Sequence, residues 1–341
     1  MNRVGDRIQY KCDFGYEVPQ ESEYAVCQPN GNWSVIVDAC TKIGATNVAL
    51  GKQTFMSSVN DDHDGAKGVD GNTNQYFGGG SCFHTTSEKN PWWRVDLGDM
   101  YDIFHVTLLN RIADKCEGGV ECSRRASDLR LSMGITLKSM NIVGTVSGPI
   151  DDIHTFHFPE GQQARYVQVT LEGQKVLHLC EVQVFGLPIE ETNVALGKQT
   201  AMSSVSNGDD GAKGVDGNTN QDIDEGSCFH TGSGTQHTGT LNPWWRVDLG
   251  ALYHIVNVTL FNRIDGCGAD GCGYRARDLR LSMGTSLESM NIVGTVPGQI
   301  DDIHTFSFPE GKQARYVQVT LEGQRKILHL CEVQVFGFPI R

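Results

Sequence analysis

The stretch CFHTTSEKNPWWRVDLG at 82–98, followed by HVTLLNR at 105–111, decides how this chain is read. WWRVDLG and HVTLLNR alternate apolar and polar residues over a few positions, the period of a half-buried strand. Both return in the same order: CFHTGSGTQHTGTLNPWWRVDLG occupies 228–250 and VNVTLFNR occupies 256–263. The segments DLRLSMG (128–134), RYVQVTLEG (165–173) and CEVQVFG (180–186) carry the same alternation, with Gly, Asn and Asp between them. No helical pattern of useful length interrupts them. Short strands at this spacing predict an all-β chain with a β-sandwich in each copy.

The repeat extends well beyond these strands. TNVALGKQT at 46–54 returns at 192–200, and LHLCEVQVFG at 177–186 returns at 328–337. Between these anchors the second copy gains six residues from His230 to Asn242 and loses two in its cysteine-bearing loop. Length changes confined to such spots imply one domain present twice, with its strands kept and its loops varied. The expected boundaries are 1–43, 44–187 and 192–338, and the connector LPIEE is short.

With 341 residues the chain exceeds what one core supports, and 39% hydrophobic residues suffice for packed interiors. No apolar run reaches the roughly 18 residues needed to cross a bilayer as a helix. A net charge of -13 argues against nucleic acid and against anionic membrane surfaces as general partners, and no membrane insertion is expected. Eleven cysteines in mostly matching places could be disulfides or metal ligands. Disulfides in a secreted, extracellular protein are the favoured reading. The start MNRVGDRIQYKC has no apolar leader, so a mature fragment is expected.

Each copy sets one imidazole and two guanidiniums around a cysteine loop: His84, Arg111 and Arg125 in the first, His230, Arg263 and Arg275 in the second. Planar guanidinium forks can donate to neighbouring hydroxyls in a fixed geometry, and an imidazole adds a directional partner. A plainer reading pairs Arg111 and Arg263 with downstream acids such as Asp114 and Asp265. Trp92, Trp93, Arg94 and Asp96 could stack on a sugar, but alternation in a strand would bury one tryptophan and leave Arg94 to pair with a nearby acid. Glycoside hydrolysis normally needs two flanking carboxylates, and the cluster offers none, so no enzyme is expected.

Taken in order, GVDGN, SCFH, NPWWRVDLG, the Asn-Arg pair, the later arginine and LHLCEV resemble the F-type lectin (fucolectin) domain over nearly all of both repeats. The resemblance implies two discoidin-like jelly-roll β-sandwiches in tandem and binding of terminal L-fucose through the three basic residues of each copy. It places Phe77 against the sugar methyl, where Ile223 stands in the second copy, though ordinary packing is the alternative for Phe77. It also implies one structural calcium per domain. The ion would be held by backbone oxygens of Lys67 and Asn72 with Asp70, Ser81 and Glu181, and by Lys213, Asn218, Asp216, Ser227 and Glu332 in the second copy.

The implied partners are fucosylated glycans on microbial or host cell surfaces, in innate recognition; an oligomer is left open. The alternative function is a discoidin-like adhesion module binding protein or lipid.

Residues 3–40 resemble the later part of a sushi (complement control) module, truncated at its start. That pattern pairs Cys12 with Cys40 and leaves Cys27 without its usual partner. Cys82 with Cys180 and Cys228 with Cys331 fit bridges from the binding loop to the last strand. Cys116 with Cys122 and Cys267 with Cys272 can each close a small loop, where the family commonly has two adjacent cysteines. A zinc set of Cys82, His84, His178 and Cys180 is the competing reading. Asn32 and Asn257 each open a glycosylation sequon.

Overall fold

The computed structural model describes residues 44–112, 122–232, 239–265, 275–323 and 326–340, with short pieces before residue 44. The chain divides into two compact units, Met1–Ile189 and Glu190–Arg341. Ahead of residue 44, Arg7–Gln9 pairs with Tyr24–Val26 and Tyr16–Glu17 pairs with Thr41–Lys42, both antiparallel. Cys12 and Cys40 lie outside the described residues, and Cys27 is buried.

The first unit is built from β1 (Gln53–Met56), β2 (Trp92–Leu109), β3 (Ser127–Gly134), β4 (Asn141–Pro149), β5 (Ile153–Leu171) and β6 (Glu181–Pro188). All pairings are antiparallel, in the order β4-β3-β5-β2-β6 with β1 on the start of β2. WWRVDLG and HVTLLNR, read above as separate strands, are one long strand. Gly98 sits at φ +86°, a left-handed conformation, and β2 continues through it. The early part of β2 pairs with β1 and the end of β5, while the late part pairs with β6 and the start of β5. Two long strands thereby serve both layers of a jelly-roll sandwich, and register shifts in β5 mark the crossing.

Alternation decides the core. Trp93, Val95, Leu97, Val106 and Leu108 of β2 are fully buried with Leu129, Leu131, Val167, Val169 and Val184. Fully burying each of these large side chains contributes about 1.5–3 kcal/mol. Trp93 stacks on Phe83 at 5.5 Å, and its Nε1 donates to the Gly65 carbonyl at 2.9 Å. Arg94 is half-buried, and no acid among the described residues pairs with it. Its guanidinium lies 4.8 Å from the Trp92 ring and 5.3 Å from Phe55, while Asp96 is taken in two hydrogen bonds by Arg165. The cross-strand register sets Phe55 opposite Arg94, so an aromatic face is the nearest partner on offer.

The second unit repeats the plan with β7 (Gln199–Met202), β8 (Trp244–Asn262), β9 (Arg277–Gly284), β10 (Asn291–Gln299), β11 (Ile303–Leu321) and β12 (His329–Pro339). Its order, β12-β8-β11-β9-β10 with β7 on β8, matches the first unit, and Trp245 stacks on Phe229 as Trp93 does on Phe83.

Candidate functional site

The site of each unit forms where the end of the long strand meets the loop before it. In the first unit, Gln75 Nε2 donates to the Asn110 carbonyl at 2.8 Å and to the Asp152 carbonyl at 2.6 Å, and the Ile112 amide returns a bond to Gln75. Asn110, fully buried, donates from Nδ2 to the Ser123 carbonyl at 2.9 Å, tethering the turn Cys122–Arg125. These backbone ties set Arg111 and Arg125 toward the same region. The third member, His84, lies on a two-residue strand paired directly with His178, and the Cys82–Cys180 disulfide joins the same two segments.

Side chains then converge. The His84 and His178 rings stack at 5.7 Å, Phe77 lies 5.6 Å from His84, and the Arg111 guanidinium sits 4.0 Å above the Phe77 ring. Burial lowers the pKa of His84, opposed by the Thr85 backbone and reinforced by Arg111, Arg125 and His63. His178, fully buried, is pushed down to about 3 by burial, then by His84, Arg111 and Arg125. The Cys122 backbone opposes that fall, although neither ring nitrogen of His178 makes a hydrogen bond of acceptable geometry. In the first unit the two guanidiniums thus lie near His84 and His178, both of whose charged forms burial disfavours. Arg124 is exposed and Arg125 half-buried.

His63 belongs to this group and sequence reasoning missed it. Its ring packs on Phe77 at 4.3 Å and its carbonyl accepts the His84 amide. The matching place in the second repeat is Asp209, so the internal repeat offered no signal.

In the second unit the His230 and His329 rings lie 5.8 Å apart, Arg263 is buried and Arg275 half-buried. Here the plainer reading of Arg263 is seen: its Nε donates to Asp265 at 3.0 Å and Nη2 at 3.4 Å, and Asp265 also accepts the Ile223 amide. The carboxylates of Asp222 and Asp224 lie within 4.8 Å of Asp265. Asp114 lies outside the described residues. Cys122 is disulfide-bonded and buried, but Cys116, Cys267 and Cys272 also lie outside them. The Cys82–Cys180 and Cys228–Cys331 disulfides are present, which removes the thiols of the zinc alternative.

A second group of oxygens lies beneath each loop. The turn Gly65–Gly68 carries Lys67, and Gly68 allows it to lie on Phe83, since a Cβ there would come within 2.9 Å of that ring. Asp70 accepts the Asn72 amide at 2.8 Å, Gly71 adopts φ +82°, and Ser81 donates to the Asn74 carbonyl. Glu181 is fully buried, and neither carboxylate oxygen has a hydrogen bond of acceptable geometry. Burial and the Asp70 charge push it up to about 8, against the Gly71 amide. Glu332 is likewise pushed up to about 7 by burial, with the Gly217 amide opposing and Asp216 adding to the rise. Asp216 and Ser227 repeat the loop, accepting from Asn218 at 2.8 Å and donating to the Asp222 carbonyl at 2.8 Å. A buried carboxylate beside a second one and short of donors is a setting that fits a hard cation.

Sandwich and basic cluster together give the class of domain, an antiparallel β-sandwich with its candidate site at one end, and comparison with known proteins places it more closely. The NedA-like, galactose-binding domain family matches residues 67–169 and 213–319, and the sushi repeat matches residues 1–40. Fucolectin-1 of Anguilla japonica is 41% identical over 124 residues, 35% of this chain and 66% of that protein. Fucolectin of Anguilla anguilla is 35% identical over 150 residues, 40% of this chain and 89% of that protein. The crystal structure of an F-lectin (fucolectin) from Morone saxatilis serum aligns at 30% identity and a TM-score of 0.42, covering 87% of this chain and all of that one. The chain belongs to the F-type lectin (fucolectin) family, with two lectin domains in tandem after a sushi segment. The family is one of lectins, and the chain is not an enzyme.

Proposed function

We propose that each lectin domain binds terminal L-fucose: the first through His84, Arg111 and Arg125 with Phe77 against the sugar methyl, the second through His230, Arg263 and Arg275. The observation that carries this reading is the convergence of His84, Arg111 and Phe77, with Arg125 close enough to lower the His84 pKa alongside burial. Fucose offers neighbouring hydroxyls and one apolar methyl. Guanidinium forks suit the oxygens, a neutral imidazole can both donate and accept, and the Phe77 ring suits the methyl. In the second domain the Arg263 edge formed by Nε and Nη2 is used by Asp265, a pairing that holds the guanidinium in one plane for a ligand on its remaining edge.

One calcium per domain would sit at Glu181 with Asp70, Ser81 and the carbonyls of Lys67 and Asn72, and at Glu332 with Asp216, Ser227 and the carbonyls of Lys213 and Asn218. Bound there, it would neutralise the buried acid and fix the loop leading to the histidine. The disulfides support secretion and an extracellular setting. Fucosylated glycans on microbial or host surfaces, met in innate defence, are the proposed partners. Single sugars bind weakly because few atoms are buried, so two sites on one chain gain avidity on dense glycans.

Calorimetric titration of the full chain with fucose tests the reading. Two sites are expected, Arg111→Ala should leave one, and Arg111→Ala with Arg263→Ala none, with near-ultraviolet dichroism unchanged. An unaltered stoichiometry in the folded double variant overturns it.

A further inference from the structure

The sequon Asn257-Val258-Thr259 plays no part in sugar binding, and the structure shows where it lies. Val258 is fully buried, so the two-residue period of β8 turns Asn257 and Thr259 to the opposite, outer face, where both are half-exposed. Across the register, Asn257 faces Ser307 of β11 and Phe336 of β12, and Ile303, Thr305 and Ser307 of β11 are all exposed.

The first repeat is built differently at the matching place. There His105 is only 5% exposed, its ring stacks on Phe185 at 4.4 Å, and His157 stands opposite at 6.1 Å. The second repeat replaces both imidazoles, with Asn257 for His105 and Ser307 for His157, and keeps the aromatic ring as Phe336. Removing two bulky rings clears the sheet around Asn257 and takes the covering imidazole off the aromatic face beside it.

We propose that Asn257 carries an N-linked oligosaccharide, seated on the outer face of β8 with its first sugar against Phe336. This rests on the reading that the chain is secreted. In the transfer, the Asn257 side-chain nitrogen forms a bond to the anomeric carbon of a lipid-diphosphate-linked oligosaccharide. The anomeric C–O bond breaks, the lipid diphosphate leaves with its electron pair, and the amide nitrogen gives one proton to a base. Thr259, two residues on, completes the acceptor sequence. Its hydroxyl lies 3.0 Å from that of Thr305 in the folded sheet.

The test is secretion of the full chain from a eukaryotic host, with mass spectrometry of the Asn257 peptide before and after enzymatic glycan release; the Asn32 peptide is mapped separately. A glycan at Asn257 is expected, lost in Asn257→Gln and Thr259→Val and kept in Thr259→Ser. An unmodified Asn257 in secreted, disulfide-bonded, fucose-binding protein overturns the site and leaves the sugar reading standing. Retention of the glycan in Thr259→Val also overturns it.

Discussion

In the proposed fucose site, His84 would act as a ligand in its neutral form, which burial favours next to Arg111 and Arg125. Burial lowers its pKa below the ordinary histidine value, and the two guanidiniums lower it further. A protonated ring would lose its acceptor and repel its neighbours. Fucose affinity in the first domain is therefore expected to be flat above pH 7 and to fall on acidification beneath the usual histidine range. Titration of Arg263→Ala, which isolates that domain's site, measures it; affinity that rises in acid would contradict the account. Glu181 and Glu332 yield a second expectation. Calcium should raise the melting temperature of the full chain, a chelator should reverse the rise, and Glu181→Gln with Glu332→Gln should remove the response. Internal repetition is what singled out the two proposed basic triads. His63 was not legible, since Asp209 replaces it and only folding brings it onto Phe77.

Among the secondary-structure elements, the turn Gly65–Gly68 joins core to site. It rests on Phe83 and Trp93, and a Cβ on Gly68 would stand 2.9 Å from the first ring and 3.2 Å from the second. Gly68→Ala is expected to cost about 1–3 kcal/mol through overpacking. Because the same turn carries Lys67, it should also weaken the calcium response, whereas an alanine at Gly148, with nothing within 4 Å of its Cβ, should leave that response intact. Denaturant midpoints with and without calcium would show both effects. The individual strands were legible from period-two alternation. The fusion of two of them into β2 was not, because Gly98 reads as a break and serves here as a left-handed point within a continuing strand. The place of Arg94 was missed for a related reason: cross-strand register, invisible in one segment, puts aromatic rings beside it.

In the molecule as a whole, acid should act first on the unit containing His105 and His178. Burial, with His157 adding to it, brings His105 down to about 4, and burial with nearby cations brings His178 down to about 3. Both groups take up protons more readily unfolded than folded. The stability they confer is present above an unfolded value of about 6.5 and is lost as pH falls toward 4 and then 3. His105→Gln should move the acid midpoint of the first unit downward, whereas the same unit with His105 intact should lose its near-ultraviolet dichroism at higher pH. The tandem plan was readable from matching anchors at 46–54 and 192–200. The pairing of Arg263 with Asp265 and the change of Phe77 to Ile223 were readable too, whereas the seat of the Arg111 guanidinium over Phe77 emerges only once loops and strand ends meet.

Each unit also contains its own optical reporter. The indole of Trp93 bonds to the carbonyl that opens the ion-loop turn, and Trp245 does the same at Gly211. Any movement of that turn changes the polarity and hydrogen bonding of a fully enclosed chromophore. Intrinsic emission should therefore shift when the loop gains or loses the proposed calcium, and replacing Trp93 or Trp245 with phenylalanine would remove the enclosed reporter of one domain, with Trp92 and Trp244 remaining as background emitters.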